Sequence, residues 1–188
     1  KMEEDAIKKK ADNFEKMSNI EKAARIIYLN KTCFNGLYRV NQAGQFNSPY
    51  GRYKNPNIIN RPAVLAMSNY FNNNDIKIMQ GDYREVLKDL TKGTFVYFDP
   101  PYLPISTSSS FTGYTEGGFD EKEQIELKKE CDKLSAKGIK FMLSNSDHPT
   151  IRELYKNYNI TTVQARRAIN SKGNKRGEIK EVLVQNYD

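Results

Sequence analysis

Four apolar and aromatic residues at positions 95–98 are followed at once by Asp-Pro-Pro-Tyr at positions 99–102. A short apolar run bounded in this way is typical of a buried strand in a parallel sheet. Because proline lacks the backbone N–H that a central strand donates, the strand must end at Asp99. Open α/β sheets bind their ligands at the carboxyl ends of such strands. The run therefore predicts an α/β fold with a ligand site beside Asp99.

The two prolines also make the tetrapeptide a rigid group of acceptors. They hold Asp99 extended, so that its carboxylate, the Pro100 carbonyl and the Tyr102 ring stay together. An amino group on a heteroaromatic ring is a weak nucleophile, because its lone pair is delocalised, and two acceptors on its N–H groups pull it toward tetrahedral geometry. The carboxylate can also face the cationic sulfonium of a methyl donor. The motif thus suits methylation of an aromatic amine, with a rigid strand exit as the alternative.

Other segments of the chain carry signatures that accompany this motif in a known family. They are residues 35–41 (NGLYRVN), 44–54 (GQFNSPYGRYK), 110–114 (SFTGY), 143–147 (LSNSD) and 166–169 (RRAI). With them, the sequence resembles the Dam-type DNA adenine-N6 methyltransferases. The resemblance implies a Rossmann-like class I methyltransferase sheet, present in part with a β-hairpin, and a mainly helical target-recognition subdomain. It assigns residues 1–58 to that subdomain and residues 59–188 to the catalytic domain.

The resemblance implies transfer of a methyl group from S-adenosylmethionine to N6 of an adenine flipped out of double-stranded DNA, with GATC as the target. Asp99 and the Pro100 carbonyl would accept from the amine. Pro101 would stiffen the loop, and Tyr102 would stack on the base. It does not distinguish an enzyme of a restriction-modification pair from a solitary one.

The resemblance also implies a cofactor contact at the end of a predicted strand, residues 76–80. Asp82 would accept from the adenine amine of S-adenosylmethionine, with Tyr83 beside it and Asp99 nearer the sulfonium. An aspartate after a glycine is equally typical of a helix N-cap, so that both interpretations of Asp82 stay open at this point.

Residues 34–54 mix amide, guanidinium and aromatic side chains without a period, and turn formers interrupt them. Such groups match what base-edge hydrogen bonding, phosphate pairing and stacking require, although a long loop can be a mere connection. The resemblance implies that Phe34 wedges into the duplex and that Asn35 lines the opening. It gives base-pair reading to Leu37, Arg39, Pro49 and Tyr53, and phosphate contact to Arg52 and Lys54.

Composition agrees with a polyanionic partner. The 30 Lys and Arg residues exceed the 23 Asp and Glu residues, which gives a net charge of +7. Basic residues concentrate at positions 166–180, where we expect either a phosphate-facing rim or a solvated loop. The two distant cysteines argue against zinc and disulfides and indicate a reducing, cytoplasmic setting. The resemblance implies that this setting is of bacterial or phage type and DNA-associated. No apolar run approaches the roughly 20 residues of a membrane span.

Periodicity and caps predict the elements around the motif. A capping box, Ser18 with Glu21, opens a helix, and Asp120 caps another that Gly138 ends. His148 is more typical of a turn than of a catalyst. Helices are predicted near residues 20–29, 61–71, 85–90, 121–137 and 149–155, and strands at 76–80, 95–98, 139–143, 160–169 and 178–185, the last two as a hairpin.

Two further expectations concern what surrounds the site. Residues 103–118 are rich in Ser, Thr and Gly and are expected to act as a lid over the base. No Gly-x-Gly turn precedes the recognition loop, and in the resembled family two more strands lie between the strands at 76–80 and 95–98. We therefore expect a missing N-terminal segment or a complementary chain to cover those strand edges.

Three other functions remain alternatives at the level of sequence. One is a truncated DNA-binding fragment without activity. The second is an amine methyltransferase acting on RNA or protein, since related tetrapeptides serve there too. A metal-dependent nuclease is the weakest, because its carboxylate-and-lysine cluster is not evident.

Overall fold

The computed structural model describes residues 16–41, 45–105, 119–166 and 178–188. The chain divides into two compact units, Lys1–Ile78 and Met79–Asp188. The boundary that sequence reasoning placed after residue 58 concerns a functional subdomain and stays a prediction. Within the described ranges, no helix is long and apolar enough to cross a membrane.

The described residues of the first unit form two α-helices, and the first begins as its cap predicts. Helix α1, Asn19–Thr32, has the predicted capping box: the Ser18 hydroxyl accepts from the Glu21 amide at 3.3 Å, and the Glu21 carboxylate accepts from the Ser18 amide at 2.9 Å. A 3-10 turn, Phe34–Gly36, follows α1. Helix α2, Arg61–Asn73, begins after Asn60 with proline in its first turn.

Residues 76–80 do not form the strand that their alternation predicted. The side chains of Ile76, Ile78 and Met79 are exposed, and the backbone there is irregular. A strand is stable only when a neighbour completes its hydrogen-bond ladder, and no described residue pairs with this segment. The alternation of apolar and polar residues shows that a segment could pair in a sheet, but it does not show whether a neighbouring strand is present.

The second unit contains the sheet. Its helices are α3 (Tyr83–Leu87), α4 (Glu121–Ala136) and α5 (Pro149–Leu154), and its strands are β1 (Phe95–Phe98), β2 (Lys140–Ser146), β3 (Asn159–Arg166) and β4 (Glu178–Gln185). The strand order is β1-β2-β4-β3, with β1 parallel to β2 and the other pairs antiparallel. This four-stranded mixed sheet is consistent with a methyltransferase fold, and the antiparallel β3–β4 pair confirms the predicted hairpin. A Rossmann-like arrangement stays a prediction.

Strand β2 runs through the middle of the hydrophobic core. Phe141 and Leu143 of this strand are completely buried and pack with apolar residues of α4, α5 and β4. Phe98 at the end of β1 is also buried, and it pairs in register with Leu143. The residues that come next after this pair, Asp99 after the end of β1 and Ser144 within β2, are therefore brought side by side.

Candidate active site

The carboxylate of Asp99 lies at the carboxyl end of β1, where the sequence predicted a site. The Ser144 hydroxyl donates to its Oδ1 at 2.9 Å. Ser144 is buried, whereas Asp99 is exposed. One oxygen of the carboxylate, Oδ1, is thus hydrogen-bonded to β2. Among the described residues, no group donates a hydrogen bond to the other oxygen, Oδ2.

A cavity of about 710 Å³ opens beside this carboxylate. Its volume falls within the roughly 300–1,000 Å³ that is typical of small-molecule sites. The cavity brings together five of the predicted site residues: Asp82, Tyr83, Asp99, Pro100 and Pro101. The apolar part of its wall includes Phe98, Phe119 and Leu127, so that the acids lie on an otherwise partly apolar surface.

Tyr102 is not among the residues that line this cavity. Its hydroxyl donates to Glu181 Oε2 on β4 at 3.3 Å, and its ring is half-buried. Burial raises the pKa of the Tyr102 phenol, which therefore stays neutral at physiological pH. Its stacking on a substrate base stays a prediction.

Asp82 has the N-cap role that the sequence left open, and it also forms an ion pair. Its Oδ1 accepts from the Arg84 backbone amide at 2.9 Å at the start of α3. The Arg84 guanidinium binds both carboxylate oxygens, at 2.8 and 3.0 Å, and reaches Glu123 of α4 at 3.1 Å. These hydrogen bonds from Arg84 hold the pKa of the Asp82 carboxyl below its ordinary value. Asp82 thus faces the cavity as a carboxylate held in one orientation.

Tyr83 contributes an aromatic wall beside Asp82. Its ring meets the Phe98 ring edge to face, with centroids 6.3 Å apart, and the Arg84 guanidinium lies 5.2 Å from its centroid. Burial raises the pKa of the Tyr83 phenol to about 12. The side chain is therefore a neutral, half-buried aromatic surface on the cavity wall.

Replacing Arg84 by glutamine is expected to raise the pKa of the Asp82 carboxyl toward its ordinary value, because the guanidinium that stabilises the charged form is lost while the hydrogen bond from the backbone amide of residue 84 remains. The side-chain carboxyl shift of Asp82, followed by NMR over an acid titration, measures this change. Since the folded-state pKa is lowered, the pair adds stability above the unfolded-state pKa and loses it as pH falls through the folded-state value.

The matched control for this titration is Arg152→Gln. Arg152 forms an ion pair of the same kind with Asp147, with Nε 2.5 Å from Oδ1. This pair lowers the pKa of the Asp147 carboxyl and does not involve Asp82. Arg152→Gln should raise the pKa of Asp147 and leave that of Asp82 unchanged. An Asp82 pKa that does not move in Arg84→Gln would contradict the assignment of its cause.

The predicted recognition loop is a folded structure within the first unit. The Phe34 amide donates to the Pro49 carbonyl at 2.7 Å, and the Asn35 amide donates to the Tyr53 hydroxyl at 3.0 Å. Asn35 has a positive φ of 57°, a conformation that asparagine tolerates better than most residues. Phe34 and Tyr53 nevertheless remain 53% and 43% exposed as whole residues, which leaves them accessible to a partner.

Arg39 spans the same loop. Its Nε donates to Asn47 Oδ1 at 2.7 Å and its Nη2 to the Asn47 carbonyl at 3.0 Å. Gly51 is required nearby, because a Cβ there would lie 2.9 Å from the Cys33 carbonyl oxygen. The other predicted DNA contacts, Leu37, Pro49, Arg52 and Lys54, are exposed. All eight predicted DNA contacts therefore lie on one loop that internal hydrogen bonds hold in place. Their contact with DNA stays a prediction.

Other sequence predictions have different outcomes. His148 is the N-cap of α5, where its Nδ1 accepts from the Thr150 amide at 3.2 Å, as expected for a turn residue. Most of the predicted lid, residues 106–118, and the connection of the basic hairpin, residues 167–177, lie outside the described residues. Among the described residues, no group of His, Cys, Asp and Glu could hold a metal ion.

Sequence reasoning missed several side chains that organise the site. Arg84 and Glu123 are brought together only by the fold, and neither was assigned to the site. Ser144 and Asn145 fell within a family signature but were given no role. Gln124 had a usable signal, since it stands in the apolar stripe of α4 together with Leu127, Cys131 and Leu134, all of them buried.

An acidic, partly apolar cavity at the carboxyl end of a parallel strand defines an α/β protein with a small-molecule or nucleotide site. The family is then given by the sequence: residues 4–169 match the D12 class N6 adenine-specific DNA methyltransferases, and the chain belongs to this family. The predicted resemblance is confirmed. The predicted adenine-specific DNA methyltransferase class is confirmed with it.

Named relatives agree with the family. The chain is 50% identical over 173 residues to the type II methyltransferase M1.LlaDCHI of Lactococcus lactis subsp. cremoris, which covers 92% of this chain and 61% of the relative. It is 46% identical over 182 residues to the type II methyltransferase M.MjaIII of Methanocaldococcus jannaschii, with 94% and 62% covered. Identity to the DNA adenine methylase of Escherichia coli K12 is 32%, with 87% and 58% covered. The chain thus spans about three-fifths of the length of these relatives.

Proposed function

We propose that this chain carries the adenine-binding and part of the cofactor-binding machinery of an enzyme that methylates N6 of adenine in double-stranded DNA. The observation that carries the proposal is the cavity wall formed by Asp82, Asp99, Pro100 and Pro101. No described residue donates to Asp99 Oδ2 or to the Pro100 carbonyl. These are the two acceptors that a primary aromatic amine requires.

The cavity residues fit S-adenosylmethionine as the methyl donor. The carboxylate of Asp99 suits a cationic sulfur, that of Asp82 suits an adenine amine, and Tyr83 and Phe119 add apolar surface. S-adenosylmethionine, when bound, supplies a methyl group on a positively charged sulfur. Asp82 and Tyr83 would hold the cofactor, and Asp99 would face its charge.

Asp99 and Pro100 would act on the base that is flipped into the cavity. Each would accept one hydrogen bond from the amine, which directs the nitrogen lone pair out of the plane of the ring. The nitrogen must lose one proton on methylation, and the Asp99 carboxylate, which would already accept a hydrogen bond from the amine, would be placed to take it. Stiffness of the two prolines keeps both acceptors in place before the substrate arrives.

Methyl incorporation from labelled S-adenosylmethionine tests the proposal. A duplex with one GATC site is the substrate, and a duplex with the adenines of both strands of that site replaced by N6-methyladenine is the control. Label in the first duplex and none in the second supports the proposal. Label in RNA or in protein at equal rates would favour the amine methyltransferase alternative.

A second candidate function, DNA binding without transfer, is favoured by one observation: the chain spans 61% of the lactococcal relative. Titration of labelled cofactor against this chain separates the two. A chain that only binds DNA should show no saturable binding of the cofactor. The methyltransferase proposal predicts saturable cofactor binding, which Asp82→Ala weakens.

Arg39→Ala is expected to weaken DNA binding several-fold, and more for the target duplex than for an unrelated one. The physical reason is that Arg39 is held against Asn47 and is proposed to read a base edge, where each good contact discriminates by about 1–3 kcal/mol. Fluorescence anisotropy with both duplexes measures the ratio.

Lys54→Ala is the control for Arg39→Ala. As a proposed phosphate contact, it should weaken both duplexes alike and reduce the log–log salt slope by about one. Equal weakening of both duplexes by Arg39→Ala would assign Arg39 to the phosphates instead.

A further inference from the structure

Three buried polar side chains lie behind the motif loop, residues 98–103, and none of them lines the cavity. Gln124 of α4 and Asn145 of β2 are 0% exposed, and Ser144 is 3% exposed. A polar group in an apolar core destabilises the fold unless its hydrogen bonds are made. These side chains direct theirs to one another and to the motif loop, which indicates a task in holding that loop.

The amide orientations in this cluster are forced, one after another. Asn145 faces two backbone N–H donors, those of Leu103 at 3.1 Å and Ser146 at 2.9 Å, so the atom there must be its oxygen. Its nitrogen therefore faces Gln124 and donates to Oε1 at 3.0 Å. The Gln124 nitrogen is then left to donate to the Pro101 carbonyl at 2.9 Å.

Ser144 completes the cluster on the other side of the loop. A hydroxyl has one proton to donate, and the Asp99 carboxylate at 2.9 Å is a closer and charged acceptor compared with the Phe98 carbonyl at 3.4 Å. Ser146 adds a hydrogen bond to the Leu103 carbonyl at 2.6 Å. The loop is thus held at Asp99, Pro101 and Leu103, the residues on either side of the Pro100 carbonyl.

We propose that Gln124, Ser144 and Asn145 form a positioning clamp that fixes the Pro100 carbonyl and Asp99 Oδ2 at the spacing an aromatic amine requires. This inference rests on the proposed function. The three side chains are positioning residues, because they act through the motif loop and do not touch the substrate. Their effect is on the rate of methyl transfer and not on the affinity for DNA.

Gln124→Glu tests the forced orientation with a pH profile. Protonated, the introduced carboxyl has an O–H that can donate to the Pro101 carbonyl while its other oxygen accepts from Asn145; ionised, it repels that carbonyl. The Gln124 side chain bonds the Pro101 carbonyl and the Asn145 amide, neither of which titrates, so the introduced carboxyl is the group that titrates within the clamp. Burial raises its pKa, and we expect kcat relative to wild type to rise as pH falls from about 9 to about 6.

Gln124→Met removes the donor without introducing a charge. We expect kcat to fall by about tenfold to a hundredfold at every pH, with KM for DNA unchanged within about twofold, since misplacement of a reacting group has effects of this size. Cys131→Ala, at another buried position of α4, is the control for lost stability. It should lower the melting temperature and leave kcat at the wild-type value.

Amide exchange provides a readout that does not need activity. The Leu103 amide, which donates to Asn145, should exchange faster in Gln124→Met than in wild type by NMR, and at the wild-type rate in Cys131→Ala. A wild-type chain that transfers no methyl overturns the proposed function. The exchange rate of the Leu103 amide still tests whether the clamp holds the motif loop. An active wild type with unchanged kcat in Gln124→Met, or a Gln124→Glu profile parallel to wild type, overturns the clamp.

Discussion

Asp99→Ala is expected to abolish methyl transfer while duplex binding persists. The substitution removes an acceptor for the amine and the negative charge that faces the sulfonium, and loss of one preorganised group of this kind lowers kcat by about a hundredfold to a thousandfold. Both effects act on the same step, so we expect the decrease to be at the upper end. Single-turnover methyl incorporation measures the rate, and anisotropy with the same duplex measures binding.

Asp99→Asn is the matched variant, since its side chain has almost the same shape. The amide oxygen can still accept from Ser144 or from the amine, but the charge is gone. We expect a smaller decrease in rate than for Asp99→Ala. The difference between the two variants measures the contribution of the acceptor oxygen, and the decrease in Asp99→Asn measures that of the charge. Transfer near the wild-type rate in Asp99→Ala would refute the proposed role, and loss of DNA binding in both variants would indicate a structural one.

The position of Asp99 could be predicted because the information is local. Four apolar residues followed by two prolines define where β1 ends, and the parallel β1–β2 pair puts that end at the edge of the sheet where β2 also ends. The caps at Ser18 and Asp120 are local in the same sense. Each depends on a side chain and a backbone amide two or three residues away.

Features that depend on distant partners could not be predicted. The segment 76–80 alternates like a strand, but whether it becomes one is decided by a neighbour that no local pattern reveals. Asp82 confirms the N-cap interpretation, but its ion pair with Arg84, which in turn reaches α4, depends on the fold. Its contact with the cofactor stays a prediction. The stacking of Tyr102 on the base stays a prediction, and no local pattern revealed that its hydroxyl donates to Glu181, 79 positions along the chain.

The clamp behind the motif loop shows how these two kinds of information combine. The prolines fix the local backbone, and a rigid loop still needs an orientation relative to the sheet. Gln124 and Asn145 supply it through hydrogen bonds over 23 and 42 positions of sequence. The spacing of the two acceptors, Asp99 Oδ2 and the Pro100 carbonyl, thus requires both the stiff loop and the hydrogen-bonded pair of Gln124 and Asn145.

Phe141→Ala is expected to reduce the free energy of unfolding of the second unit by about 3–5 kcal/mol, a large part of the roughly 5–15 kcal/mol available to a typical domain. Phe141 is completely buried on β2, with ring centroids 5.1 Å from Tyr158 and 6.3 Å from Phe98. Its removal leaves a cavity beneath the strand end that presents Asp99. Urea unfolding followed by circular dichroism measures the loss.

Phe95→Ala is the matched control, because it removes the same side chain from the edge strand β1, where 53% of it is exposed. We expect a loss below about 1 kcal/mol, since surface substitutions of this kind leave little cavity. Below its unfolding midpoint, Phe141→Ala should also transfer methyl more slowly per folded molecule, as Phe98 and Asp99 lose their support. Equal destabilisation by the two variants would contradict the assignment of β2 to the core and, with it, the argument that the core sets the position of the carboxylate.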